Sequence, residues 1–264
     1  MERFLFTKMF MLIVITLVLQ MYGCKGCLEK ERIALLEIKA LIINVKTVMV
    51  DDHNLSDCCD WYQVECNTTT GRVMNLSLYD LLYYSTPILN FSMFQPFEEL
   101  QSLNLSRNYF EGWVDSRGKL SSSFTHSSYI LDLGWNFFNS SILSYLTTLT
   151  SLKTLILRLN NLEDFNTEKG AGLANLRNLE FLDLSSTRIS GSTLQELGLA
   201  NLRNLKFLDL SANEINGTLQ ELGLANLRNL KFLDLSANEI NGTLQELDKT
   251  DLNENQRSLR IKLH

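Results

Sequence analysis

Hydrophobic and polar positions follow two different rhythms along the chain. In residues 27–47, CLEKERIALLEIKALIINVKT, Leu35, Ile38, Leu41, Ile42 and Val45 recur at helical spacing. Glu29, Lys30, Glu31, Arg32, Glu37 and Lys39 take the opposite face, so the stretch predicts an amphipathic helix. A polar stretch follows, then DCCDWYQVEC and GRVMNLSL, where Trp61 is expected to pack beside cysteines. Beyond it, Leu-x-Leu, a small residue and then Asn recur as LNLSRN (103–108), LDLGWN (131–136), LILRLN (155–160), LDLSST (182–187) and LDLSAN (208–213 and 233–238). NLSL at 75–78 opens the series. The marker moves from Asn108 through Asn136, Asn160, Thr187 and Asn213 to Asn238, in steps of 28, 24, 27, 26 and 25 residues.

That period, with the pattern L-x-x-L-x-L-x-x-N, identifies leucine-rich repeats. Alternation within xLxL sends Leu208 and Leu210 into a solenoid core and turns Phe207, Asp209 and Ser211 onto the open face of a sheet. The Asn amide at the strand exit is expected to satisfy backbone groups inside the turn, stacked from one coil to the next. Thr187 interrupts that stack, which predicts a less tightly held turn, and Ile189, Ile215 and Ile240 fill the core further round. Each unit is too small to bury its own core, so neighbours stabilise one another. Residues 198–222 and 223–247 are the same 25-residue string. Their Phe-Asp-Ser face repeats positions 181, 183 and 185, so the copy adds a spacer turn rather than a tailored site.

The first residues carry Arg3 and Lys8, then the apolar run MFMLIVITLVL (9–19), then QMYGCKGC. This is the order of a secretory signal peptide, with cleavage expected after Gly26; a retained signal anchor is the rival reading. Removal takes three basic residues and one acidic residue from a chain of net charge −6, leaving it more acidic. It also discards Cys24 and leaves four cysteines, Cys27, Cys58, Cys59 and Cys66, an even number in an oxidising compartment. Adjacent Cys58 and Cys59 are too close to pair, so each reaches elsewhere. A zinc site built from these thiols and His53 is the disfavoured alternative.

Together, CLEKERIALLEIK, CCDWYQVECN, TGRVMNLSL and NFSMFQPFEELQSLNLSRNYFEGW resemble the plant receptor-like proteins, cell-surface leucine-rich-repeat receptors that lack a kinase. The resemblance implies disulfides Cys27–Cys58 and Cys59–Cys66. It implies an α/β solenoid: a right-handed leucine-rich-repeat arc with a parallel concave β-sheet and a disulfide-bonded N-terminal helical cap. The expected layout is a signal peptide (1–26), the cap (27–72), about seven repeats (73–247) and an irregular tail (248–264) in which Ile261 and Leu263 could start one more strand. Three departures stand out. GSTLQEL and GTLQEL replace the plant-type Gly-x-Ile-Pro, which puts the second, convex-side strand in doubt; no apolar span lies near the C-terminus; and no cysteine follows Cys66.

The resemblance further implies a secreted or cell-surface recognition module, shortened, for an extracellular peptide or protein ligand in defence or development, working with a membrane receptor kinase. The alternatives are an inhibitor of secreted cell-wall hydrolases resembling the polygalacturonase-inhibiting proteins, and a truncated product without independent activity. Asn54, Asn67, Asn90, Asn216 and Asn241 are the expected glycan acceptors among the Asn-x-Ser/Thr sites; Asn75 and Asn104 fall in strands. The more individual positions on the concave side, Arg107, Trp135, Ile156 and Arg158, are the candidate ligand surface. Three histidines, no nucleophile elbow and no phosphate loop argue against an enzyme and against any cofactor. The acidic balance and the lack of basic, aromatic-interleaved segments argue against nucleic acid.

Overall fold

The computed structural model describes residues 27–42, 57–80, 88–114, 129–163, 172–218, 221–222, 224, 227–240 and 260–262. The signal segment, His53, Asn54 and Asn241 lie outside them.

One nine-stranded sheet runs the length of the molecule. Its strands are β1 (Val64–Cys66), β2 (Val73–Ser77), β4 (Ser102–Asn104), β6 (Tyr129–Asp132), β7 (Leu152–Ile156), β8 (Phe181–Asp183), β9 (Phe207–Asp209), β11 (Phe232–Asp234) and β13 (Arg260–Lys262), in that spatial order. Only β1 and β2 are antiparallel; every later pairing is parallel. The register aligns Leu76, Leu103, Leu131, Leu155, Leu182, Leu208 and Leu233, and all are buried. A second row, Leu105, Leu133, Leu157, Leu184, Leu210 and Leu235, is buried beside it. The register places each strand leucine beside its counterpart one turn away, which is how a unit too small for its own core becomes stable. Further round, Phe110 stacks on Phe138 (6.1 Å), and Leu162, Ile189 and Ile215 close the core.

The convex-side strand in doubt from the missing Pro is present in short pieces. Strand β3 (Ile88–Asn90) pairs with β5 (Gly112–Val114), and β10 (Asn216–Gly217) with β12 (Glu239–Ile240). Single bridges join Asn139 to Asn161 and Ser190 to Glu214. Pairing there needs only a backbone N–H and C=O, so losing Pro does not remove it. Where Gly-x-Ile-Pro would run on, GSTLQE instead winds the short helix α2 (Gly191–Glu196), capped by the Ser190 hydroxyl accepting from the Thr193 N–H.

The cap helix α1 (Glu29–Ile42) corrects one expectation. Glu31 is not on the solvent face: it is fully buried with Ala34, Leu35 and Ile38, while Ile33 and Leu36 are exposed. Positions 31, 34, 35 and 38 form one helical stripe, so the buried face extends one turn earlier than the apolar residues suggest. The Glu31 carboxylate accepts from the Val73 N–H (3.2 Å) and faces the Arg72 guanidinium (3.6 Å). Arg72 reaches on to Glu98 (3.0 Å), and so ties the cap to the first full turn. Disulfides Cys27–Cys58 and Cys59–Cys66 close the cap; these thiols are therefore not zinc ligands. The Trp61 side chain is buried beside them.

The Asn stack forms as expected. Asn136 Nδ2 donates to Leu133 O of its own turn and to Leu105 O of the turn before, while its Oδ1 accepts from the N–H groups of Asn108 and Phe110. Asn160, Asn213 and Asn238 repeat this bridging. The Thr187 hydroxyl donates within its own turn, to Leu184 O (2.7 Å), and lies 3.1 Å from Asn213 Oδ1. It makes no bond back to Leu157 O, and the Leu162 N–H donates to the Thr187 backbone O instead.

Candidate ligand-binding face

Two columns of side chains line the open face. One reads Asn75, Ser102, Ile130, Thr154, Phe181, Phe207 and Phe232; the other reads Ser77, Asn104, Asp132, Ile156, Asp183, Asp209 and Asp234. The later turns are uniform. Phe181, Phe207 and Phe232 stack nearly parallel at 4.2 and 4.5 Å, so most of their flat faces meet one another rather than solvent. The Asp column is turned inward on its own turns. Asp183, Asp209 and Asp234 each accept from the N–H and hydroxyl of the serine two residues on, at 2.5–3.0 Å. A carboxylate fastened this way shapes the strand exit and has less capacity for a ligand.

The earlier turns differ at the strand exit. The residue before each marker adopts a left-handed conformation: Arg107, Trp135, Leu159, Ser186, Ala212 and Ala237 all have φ between 53° and 60°. The N–H groups of the first five bond to the next turn, as Arg107 to Gly134 O, Trp135 to Arg158 O and Ala212 to Ser236 O, which holds the conformation. The side chains project from the sheet edge. Three of the four expected ligand residues meet there. The Arg107 guanidinium lies over the Trp135 ring, 4.8 Å from its centroid. Arg158 is exposed and crosses Gly134, where a Cβ would come within 3.1 Å of Arg158 Cγ. Ile156 sits on the sheet floor instead, between Asp132 and Asp183 in register. Burial raises the Asp132 carboxyl above its ordinary pKa; the Gly134 N–H and the Arg158 charge oppose that shift, and Asp183 adds to it.

Sequence reasoning missed the neighbours of this group. Tyr109 and Phe137, one residue past the markers, contact each other at 5.5 Å and are exposed. Their signal was available: the corresponding positions in later turns are Arg188, Glu214 and Glu239. At the cap end, Gln63, Val64, Glu65, Asn75, Leu76 and Asn104 help line a separate cleft of about 320 Å³.

Of the expected glycan acceptors, Asn216 is exposed, Asn90 is half-buried with Oδ1 accepting from Ser92, and the Asn67 amide donates to Glu99. Among the described residues no cluster of His, Cys, Asp or Glu is arranged to hold a metal, and no helix is long and apolar enough to cross a membrane.

Residues 178–200 match the family described as Leucine Rich Repeat. The chain is 43% identical over 195 residues to "Receptor-like protein 9b" of Arabidopsis thaliana, covering 72% of this chain and 20% of that protein. It is 41% identical over 209 residues to "Receptor like protein 21" of the same plant, covering 75% and 21%. It thus spans about a fifth of the length of these curated relatives. Among solved structures it is similar to the leucine-rich-repeat ectodomain of the plant membrane receptor kinase GASSHO1/SCHENGEN3 from Arabidopsis thaliana, determined with CASPARIAN STRIP INTEGRITY FACTOR 2. That match has 26% identity and a TM-score of 0.52, over 86% of this chain and 29% of that one.

Proposed function

This chain is a leucine-rich-repeat relative of the plant receptor-like proteins, and from that premise we propose that it is an extracellular recognition module holding a peptide or protein ligand on the turns between residues 102 and 160. The observation that carries this reading is the contrast along one scaffold. Turns 181–240 repeat the same Phe, Asp and Ser on a fixed backbone, whereas turns 102–160 place Arg107, Trp135, Ile156 and Arg158 at the equivalent or adjoining positions. A uniform stretch offers little discrimination; the varied stretch supplies charge, an aromatic ring and an apolar floor within a few strands. Secretion through residues 1–26, glycans at Asn54, Asn67, Asn90, Asn216 and Asn241, and partnership with a membrane receptor kinase complete the proposal.

The test is selection of a random peptide display library on the immobilised chain secreted from a eukaryotic host. Peptides that bind saturably to the wild type, and at least about tenfold more weakly to Ile156→Lys, support the reading. Peptides held equally by that variant but lost on Phe207→Lys would move the ligand to the uniform turns, and the absence of any saturable binder would reject a peptide-recognition role.

A further inference from the structure

Building on that reading, we infer that the ligand presents a carboxylate beside an apolar side chain, and that the strand-exit edge formed by Arg107, Trp135, Tyr109 and Phe137 receives it. The solenoid contains its own control. The left-handed position is occupied by Arg107, Trp135 and Leu159 in three turns and by Ser186, Ala212 and Ala237 in the next three, with φ unchanged throughout. Alanine is therefore sufficient for the fold. A large side chain there gains no core burial: Trp135 remains 45% exposed, and one residue past the marker Phe137 remains 53% exposed. Left-handed backbone also disfavours residues other than Gly, Asn and Asp, so neither local propensity nor core packing accounts for Arg, Trp and Leu at these sites. Exposed aromatic surface without a folding role is the signature of a contact surface.

The charge at this edge selects the partner. The chain is acidic overall, yet Arg107 makes no ion pair among the described residues. Stacking on the Trp135 ring occupies one face of the guanidinium and restricts its rotamers, while its N–H donors, which lie in the guanidinium plane, stay available. A guanidinium fixed in this way is preorganised for a forked pair of hydrogen bonds to a carboxylate. The Tyr109–Phe137 pair beside it offers an apolar seat, and Arg158 across Gly134 adds a second positive charge one turn on. Arg158 also acts on the Asp132 carboxyl, so the charge left without an ion pair at this edge, among the described residues, is that of Arg107, which repels a basic ligand and attracts an acidic one.

The experiment uses the peptides selected above and measures their affinity for the secreted chain and for Arg107→Ala, Arg107→Lys and Trp135→Ala. Ala is what the scaffold already carries at 212 and 237, so these variants should fold, and lose no more stability than the one exposed Arg107–Trp135 contact supplies. We expect selected peptides enriched in Asp or Glu next to an aliphatic or aromatic residue. Arg107→Ala should weaken binding about tenfold or more, and Trp135→Ala comparably. Arg107→Lys should fall between Arg107→Ala and the wild type, because it keeps the charge and loses the fork. Selected peptides without acidic enrichment, or an Arg107→Ala affinity within twofold of wild type, would overturn the inference while leaving the recognition reading intact. No saturable binder at all would overturn the inference together with a peptide-recognition role.

Discussion

Replacing Asn213 by Ala should be far more damaging than removing the hydroxyl of Thr187, although both are buried at the same point of successive turns. The Asn213 Oδ1 accepts from two buried backbone amides, Thr187 N at 2.9 Å and Ile189 N at 3.0 Å. Its Nδ2 donates to Leu184 O and Leu210 O, but those carbonyls keep other donors, the Thr187 hydroxyl and the Asn238 amide. Asn213→Ala therefore strands two amides. At roughly 1–3 kcal/mol each, the cost is ~2–6 kcal/mol, a large share of a typical domain stability of about 5–15 kcal/mol. Thr187→Val keeps the volume and strands nothing: Leu184 O retains the Asn213 amide, and Asn213 Oδ1 retains both backbone donors, so the loss is ~1 kcal/mol. Thr187→Asn should reverse the sign. Leu105, Leu133 and Leu210 carbonyls each receive two marker amides, whereas Leu157 O receives only that of Asn160. An Asn at 187 would supply the second and gain ~1 kcal/mol. Because solenoids need not unfold in one step, the assay combines urea denaturation with hydrogen exchange on peptides covering 155–162 and 184–190. The reasoning is refuted if Asn213→Ala costs no more than Thr187→Val, or if Thr187→Asn leaves exchange at 155–162 unchanged.

Acidity should tighten the cap through Glu31. Burial raises its carboxyl pKa in the folded state, so the ionised form is disfavoured and the cap is least stable above that pKa, gaining stability as pH falls through it towards the ordinary value. Thermal unfolding of Glu31→Gln against pH should lose that component, and an identical pH profile for variant and wild type would exclude it. The exposed Glu98 is shifted down by Lys30 and Arg72, so its smaller contribution runs the other way and is lost as pH falls through its lowered value. For the disulfides, opening Cys27–Cys58, which spans 31 residues, should destabilise by ~3–4 kcal/mol, and opening Cys59–Cys66, which spans 7, by ~2 kcal/mol. Paired Cys→Ser variants followed by chemical denaturation measure both, and the reverse order would show that strand pairing of β1 with β2, not loop closure, dominates.

The parts of this structure that repeat were the parts legible in the sequence. Leu208, Leu210 and Asn213 each have four or more counterparts, so the period exposes their roles without knowledge of any contact. Thr187 was legible as an interruption for the same reason, and the structure adds which carbonyl goes short. Glu31 was not legible, because a single charged residue on a helical stripe reads as solvent-facing until Val73 and Arg72 are seen to meet it. The Asp column was legible as position but not as chemistry, since only coordinates show its oxygens bonded to Ser185, Ser211 and Ser236. Arg107 and Trp135 could be picked out as individual residues. Their contact could not, because they lie 28 residues apart and meet only when two turns stack in register.

The copied turn has a consequence for how the chain finds its order. Strand β9 docks on β8 through Phe181·Phe207, Leu182·Leu208 and Asp183·Asp209, and β11 docks on β9 through the same three kinds of pair. Strand β11 would therefore be accepted by β8 as readily as β9 is, since residues 223–247 copy 198–222. The mispaired chain would skip one turn and leave 25 residues looped out. Loop closure rises only slowly with length, so entropy hardly opposes the slip. What rejects it is arithmetic: the slipped chain has one stacking interface fewer. Correct threading of the two copied turns is thus decided by the number of interfaces made, because β8 cannot tell one copy from the other, and a single substitution in either copy would turn that count into recognition.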